Sequence, residues 1–113
     1  MIRTRDNVEH YNWGADCDGW IMVDDPAISV IEERMPSNTS EIRHYHVHSR
    51  QFFRVLQGTL TMEMADETVE LRSGDGIEIA PGIPHKACNR SPQDAVFLVI
   101  SSPATSGDRV ELT

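Results

Sequence analysis

The stretch His44-Tyr45-His46-Val47-His48-Ser49-Arg50-Gln51-Phe52-Phe53-Arg54-Val55-Leu56-Gln57-Gly58 holds three of the chain's five histidines, at alternate positions. Alternate residues of a strand share a face, so a strand over Glu41–His48 points His44, His46 and His48 the same way, with Ile42. Glu41, Arg43, Tyr45 and Val47 take the other face. A row of imidazoles with few aliphatics is poor core material and a good start for a metal site. Gln51 then opens a second alternation, Gln51, Phe53 and Val55 against Phe52, Arg54 and Leu56, which Gly58 breaks. A distant partner for the imidazoles stands at His85, after the rigid turn Pro81-Gly82-Ile83-Pro84.

Outward from this stretch the chain reads as short strands and turns. Downstream, Thr59–Met64 puts Leu60, Met62 and Met64 on one face, and Ala65-Asp66-Glu67 turns into Thr68–Leu71. Ser73-Gly74-Asp75-Gly76 turns into Ile77–Ala80. Ala95–Ser101 is the most apolar run and reads as a strand buried on both faces. Arg109–Leu112 is a last short strand. Upstream, Trp20–Val23 is a strand stopped by Asp24-Asp25-Pro26. Ala27–Met35 follows, with Ile28 and Val30 opposed to Ser29 and Ile31, and Glu32-Glu33-Arg34 charged on both faces. Residues 1–18 read as an arm or short strand in which His10 is a solvated surface histidine. No helical pattern of ten or more residues appears. Roughly eight to ten short strands with regular turns make a β-sandwich or barrel.

At 113 residues the chain makes one domain with one core. Its formal net charge of −8 opposes nucleic acid or an anionic membrane surface as the main partner. Cys17 and Cys88 give no disulfide framework and read as free thiols of a reducing compartment. Met1–Asp6 lacks the apolar segment of a signal peptide, and no apolar run approaches the roughly 18 residues of a membrane span. The expectation is a soluble cytoplasmic protein.

The spacing joins two motifs. One is His44-x-His46, four residues, Gln51, six residues, Gly58. The other is Gly74, five residues, Ala80-Pro81-Gly82, two residues, His85, three residues, Asn89. Together they resemble the two signature motifs of the cupin superfamily, over about residues 27–101. Every spacing agrees. Two letters depart, because the family usually has Glu where Gln51 stands and Pro where Ala80 stands.

The resemblance implies an all-β jelly-roll (double-stranded β-helix) barrel over residues 27–113, preceded by an arm over 1–26. It implies a divalent transition metal held by His44, His46, Gln51 and His85. The family register selects His44 and His46 and leaves His48 out as a mouth or surface residue; the register His46-x-His48 would bring Gln51 too close. It also implies a homodimer, in which Trp13 and Trp20 pack or pair across the interface. Imidazoles with one amide oxygen suit Ni, Zn, Fe, Co or Mn.

Gln for Glu keeps an oxygen donor but removes a negative charge, so a bound divalent ion keeps its +2 uncompensated and favours anionic ligands. The set is similar to that of small cupins acting on unsaturated uronic acids, which implies a lyase- or isomerase-like enzyme on a small anionic substrate such as a sugar acid. Two alternatives stand beside it: a metal-dependent dioxygenase of this fold, although the two-His, one-carboxylate triad is absent, and a non-catalytic sugar- or metal-binding module.

Other residues carry plainer expectations. Phe52, Phe53, Leu56, Met62, Met64, Phe97 and Val99 read as core. Arg34, Arg43 and Arg54 read as outward residues in ion pairs rather than substrate clamps. Tyr45 faces away from the ligands, and Cys88 lacks the surroundings of a nucleophile.

Overall fold

The computed structural model describes residues 1–112; Thr113, the last residue of the expected barrel, lies outside the described residues. Among them are twelve strands: β1 (His10–Trp13), β2 (Cys17–Asp25), β3 (Ile28–Met35), β4 (Thr39–Ser40), β5 (His44–His46), β6 (Arg50–Gln57), β7 (Thr59–Met64), β8 (Thr68–Arg72), β9 (Gly76–Ile79), β10 (His85–Asn89), β11 (Ala95–Ser102) and β12 (Arg109–Glu111). The described residues contain no helix, hence none long and apolar enough to cross a membrane.

One sheet runs β1-β2-β3-β11-β6-β9, the other β12-β5-β10-β7-β8 with β4 also on β10, and their pairings are antiparallel. The fold is all-β, as the alternating pattern requires. The core lies between the sheets, where Phe97, Met35, Leu60, Met62 and Val55 are almost wholly covered. Each such side chain contributes about 1.5–3 kcal/mol by leaving water. The arm residues join this structure: β1 and β2 extend the first sheet beyond β3, and Trp13 packs against the core.

Three expectations change. The strand expected over Glu41–His48 shrinks to His44–His46. At its start the Glu41 side chain takes the place of backbone, Oε1 accepting from the Ala87 N–H at 2.9 Å while the Glu41 N–H donates to the Ala87 carbonyl at 3.0 Å. At its end the Asp108 carboxylate accepts the N–H groups of His48 and Ser49, both at 2.9 Å. The broken alternation leaves Ile42 exposed, off the histidine face. Phe52 and Leu56 are not core, at 37% and 43% exposure, because their strand turns Gln51, Phe53 and Val55 inward. β11 is buried at Ala95, Val96, Phe97, Val99 and Ser101; Leu98 and Ile100, on the outer face, stay half-buried.

Two motif residues have structural reasons. Gly58 has φ +79°, and a Cβ there would lie 2.2 Å from the Asp94 carbonyl oxygen, so only glycine fits. Asn89 staples loops: Nδ2 donates to the carbonyls of Met35 (2.8 Å) and Gln93 (2.6 Å), and Oδ1 accepts from the Ser91 N–H and hydroxyl.

Candidate metal centre

β5 and β10 are antiparallel neighbours with His44 opposite His85. Their rings stand 4.5 Å apart, and His46, two residues further along the same face, is 5.0 Å from His44 and 6.0 Å from His85. The turn carrying the second motif is tied to the first by the Gly82 N–H, which donates to the His46 carbonyl at 2.7 Å. All three imidazoles are buried, and each offers a nitrogen within 4.8 Å of the others.

Backbone carbonyls orient two of them. His44 Nδ1 bonds the Ile42 carbonyl at 2.7 Å and His85 Nδ1 the Ile83 carbonyl at 2.9 Å. A carbonyl only accepts, so both Nδ1 atoms carry hydrogen and both Nε2 atoms keep a free lone pair. His46 Nδ1 lies 4.0 Å from Asp108 Oδ2, beyond a hydrogen bond. Burial, the largest cause, depresses all three, His44 to about 3 and His46 to about 4. Imidazoles held neutral are what ligation needs.

Gln51 comes from β6, in the opposite sheet. Its Nε2 donates to the Ser101 hydroxyl at 3.0 Å, the residue directly across on β11, and that bond assigns the amide orientation. Its Oε1 is left buried with no hydrogen-bond partner, as are His85 Nε2 and His46 Nδ1. Buried polar atoms of this kind cost roughly 1–3 kcal/mol each when nothing engages them. Neutral imidazole lone pairs and an unsatisfied amide oxygen are the donor set a divalent transition metal takes, so these residues fit one. His48 is exposed on the turn beyond β5.

The site opens on a cavity of about 190 Å³, walled by His44, His46 and Gln51 on one side and by Glu33, Glu41 and Arg109 on another. An outer chamber of about 350 Å³ adjoins it, and Tyr11, Glu33, Glu41 and Arg109 line both. Glu33 and Glu41 are half-buried, their free surface facing these spaces. Burial first, then the Glu41 charge, pushes Glu33 up to about 8, against the pull of Tyr11 and Arg109. Burial pushes Glu41 up to about 7, against the Ala87 N–H and Arg109. The Arg109 guanidinium lies 3.3 Å from Glu111 and 4.0 Å from Glu41.

Glu33, Glu41, Arg109 and Tyr11 are the cavity residues that sequence reasoning missed. The parity of β3, whose Ser29 and Met35 are buried, points to Glu33. Glu41 falls on the wrong face if the strand is read as unbroken. Arg109 reaches the cavity only because β12 pairs with β5, setting Arg109 opposite His46. The arginines singled out from the sequence stand elsewhere: Arg34 bonds Asp18 (2.6 Å) and Asp94 (3.2 Å), and Arg54 is exposed. Burial and the neighbouring Glu63 carboxylate push the Cys88 thiol up to about 11, away from nucleophilic character.

The two antiparallel sheets and the converging histidine cluster define a small jelly-roll barrel whose imidazoles could hold a metal. The chain belongs to the cupin family: the model of the cupin domain matches residues 31–101. An uncharacterised protein of Methanocaldococcus jannaschii is 30% identical over 84 residues, covering 74% of this chain and 67% of that protein. Among solved structures, KdgF from Halomonas sp. superposes with a TM-score of 0.82 at 18% identity, covering 92% of this chain and 95% of that one. The polyketide cyclase RemF from Streptomyces resistomycificus gives 0.83 at 21% identity, covering 100% and 86%. A sugar phosphate isomerase of the cupin superfamily from Silicibacter pomeroyi gives 0.74 at 20% identity, covering 88% and 73%. At these identities the likeness establishes the fold.

Proposed function

We propose that this protein is a metal-dependent enzyme, lyase- or isomerase-like, acting on a small anionic molecule such as a sugar acid. One observation carries the reading: the clustered imidazoles of His44, His46 and His85 and the amide of Gln51 are all neutral, and His44, His46 and Gln51 share a cavity with the Arg109 guanidinium. A divalent transition metal (Ni, Zn, Fe, Co or Mn) held there would supply Lewis acidity towards a carbonyl or carboxylate oxygen. The chain's own residues supply the rest. Ser101 holds the Gln51 amide with its oxygen free, the backbone carbonyls of Ile42 and Ile83 fix the tautomers of His44 and His85, and Arg109 offers a carboxylate a charged donor. An anionic sugar also appears in the name of the sugar phosphate isomerase that shares the fold. A dioxygenase is the weaker reading, because among the described residues no carboxylate joins the His44-His46-His85 cluster.

The test is titration of cobalt-substituted protein with galacturonate and unsaturated uronates, followed by visible absorption and by product formation. A spectral change with turnover of one such acid is expected. The absence of both responses would sink the proposal.

A further inference from the structure

The side of the cavity facing the histidines is built by a row across the first sheet. Tyr11 on β1 pairs with Gly19 on β2, and Gly19 pairs with Glu33 on β3. Gly19 carries no side chain, and the Tyr11 ring fills that gap: a Cβ at Gly19 would lie 2.3 Å from Tyr11 Cζ and 2.7 Å from its hydroxyl oxygen. Tyr11 thereby crosses β2 towards Glu33, and the two side chains line the same spaces. Both residues border the inner cavity and the outer chamber, so Glu33 stands between the metal donors and solvent.

We propose that Glu33 is the proton-exchanging group of this cavity: its carboxyl, positioned by Tyr11 across Gly19, takes up a proton when an anionic ligand enters and returns it when the ligand leaves. The inference rests on the anion-binding reading above. The charge balance is local. Facing Glu33 are Tyr11 from β1, Cys17 from β2, Glu41 from the segment before β5, and Arg109 from β12; His44, His46 and Glu111 complete the titratable walls of the two spaces. Arg109 is the lone cation among them, and Glu41 already competes for it. An entering anion adds a negative charge beside two carboxyl groups in a low-dielectric pocket, and protonation of Glu33 removes one. The proton comes from solvent through the outer chamber, and no bond other than O–H forms or breaks. Glu33 rests near half-protonation at about pH 8, so it can respond in either direction.

Isothermal titration of zinc-loaded protein with galacturonate, in two buffers of different ionisation enthalpy across pH 6–9, reads this proton directly. Uptake of about half a proton per anion is expected near pH 8, with affinity falling up to about tenfold per pH unit above it. In Glu33→Gln the anion should still bind while uptake and pH dependence disappear. Tyr11→Phe and Gly19→Ala remove or displace the Tyr11 hydroxyl that pulls Glu33 down, so the pH of greatest uptake should rise. Glu41→Gln removes the repelling charge and should lower it. A role that was merely structural would not give these opposite shifts. Binding without uptake in the parent, or uptake unchanged in Glu33→Gln, which would place the proton on Glu41 or at the metal, overturns the inference and leaves the anion site standing. No binding to the parent overturns the anion reading and this inference with it.

Discussion

The two walls of the cavity are built in opposite ways. The histidine wall comes from β5 and β10, two short strands made adjacent by direct pairing of His44 with His85, and its polar atoms are braced by neighbouring backbone. The carboxyl wall is assembled from β1, β3, β12 and the Glu41 segment, and it is braced by side chains reaching across strands. One wall has neutral nitrogens whose lone pairs could take a cation. The other has acids whose burial opposes their charge. A metal ligand needs a fixed lone pair, which backbone hydrogen bonds give; a proton-exchanging group needs a poised charge, which comes from burial balanced against neighbours.

The strongest way to break the contrast is His85→Ala, since His85 is the fully buried member of the cluster. Metal affinity should fall by more than the roughly 10–100-fold typical of losing an outer partner, as measured by chelator competition, and metal content near the parent level would remove His85 from the donor set. Asp108→Asn comes next. It weakens the carboxylate that accepts the His48 and Ser49 N–H groups behind His46. A loss of about tenfold in metal affinity is expected by the same competition assay, and an unchanged value would confine Asp108 to shaping the turn.

Gly19→Ala strikes the other wall alone. Evicting the Tyr11 ring should cost about 1–3 kcal/mol in chemical denaturation, with metal content unchanged. A metal loss of similar size would mean the walls are not independent.

Glu33→Gln should act on stability with a sign set by pH. The folded-state pKa of Glu33 is raised, so its contribution is fully present below the ordinary glutamate range and is lost as pH rises towards about 8. The variant should therefore melt above the parent at pH 8, with the difference closing as pH falls to 4; a difference independent of pH would show that Glu33 is not held protonated. The smallest effect is expected from Gln51→Glu, which should keep the metal and lower galacturonate affinity by compensating its charge. Equal affinity in calorimetry would remove Gln51 as the source of anion preference.

The histidine wall was legible because its information is local. His44 and His46 are two residues apart on one strand, and the distances to Gln51, Gly58 and His85 are carried by spacing that any reader of the chain can count. The alternation of β6 followed from the period of a strand in the same way, but not its inward face, since Phe52 and Leu56 were expected in the core. The reading slipped where side chains replaced backbone in the ladder. Glu41 bonding Ala87 and Asp108 bonding Ser49 cut the third strand of the sequence reading to three residues, and neither partner is near in the chain.

What the sequence alone determined is the all-β character and the family motifs, because strand period and motif spacing are properties of short segments; the grouping of His44, His46, Gln51 and His85 as candidate ligands is what the resemblance carried by those motifs implies. What only the tertiary structure decided is the other half of the cavity: that Glu33 faces inward under Tyr11, that Gly19 makes room for it, and that Arg109 arrives beside His46. Those neighbours meet through strand pairings between distant segments, and the register of such a pairing is set by the burial of the whole sheet rather than by the residues that it brings together.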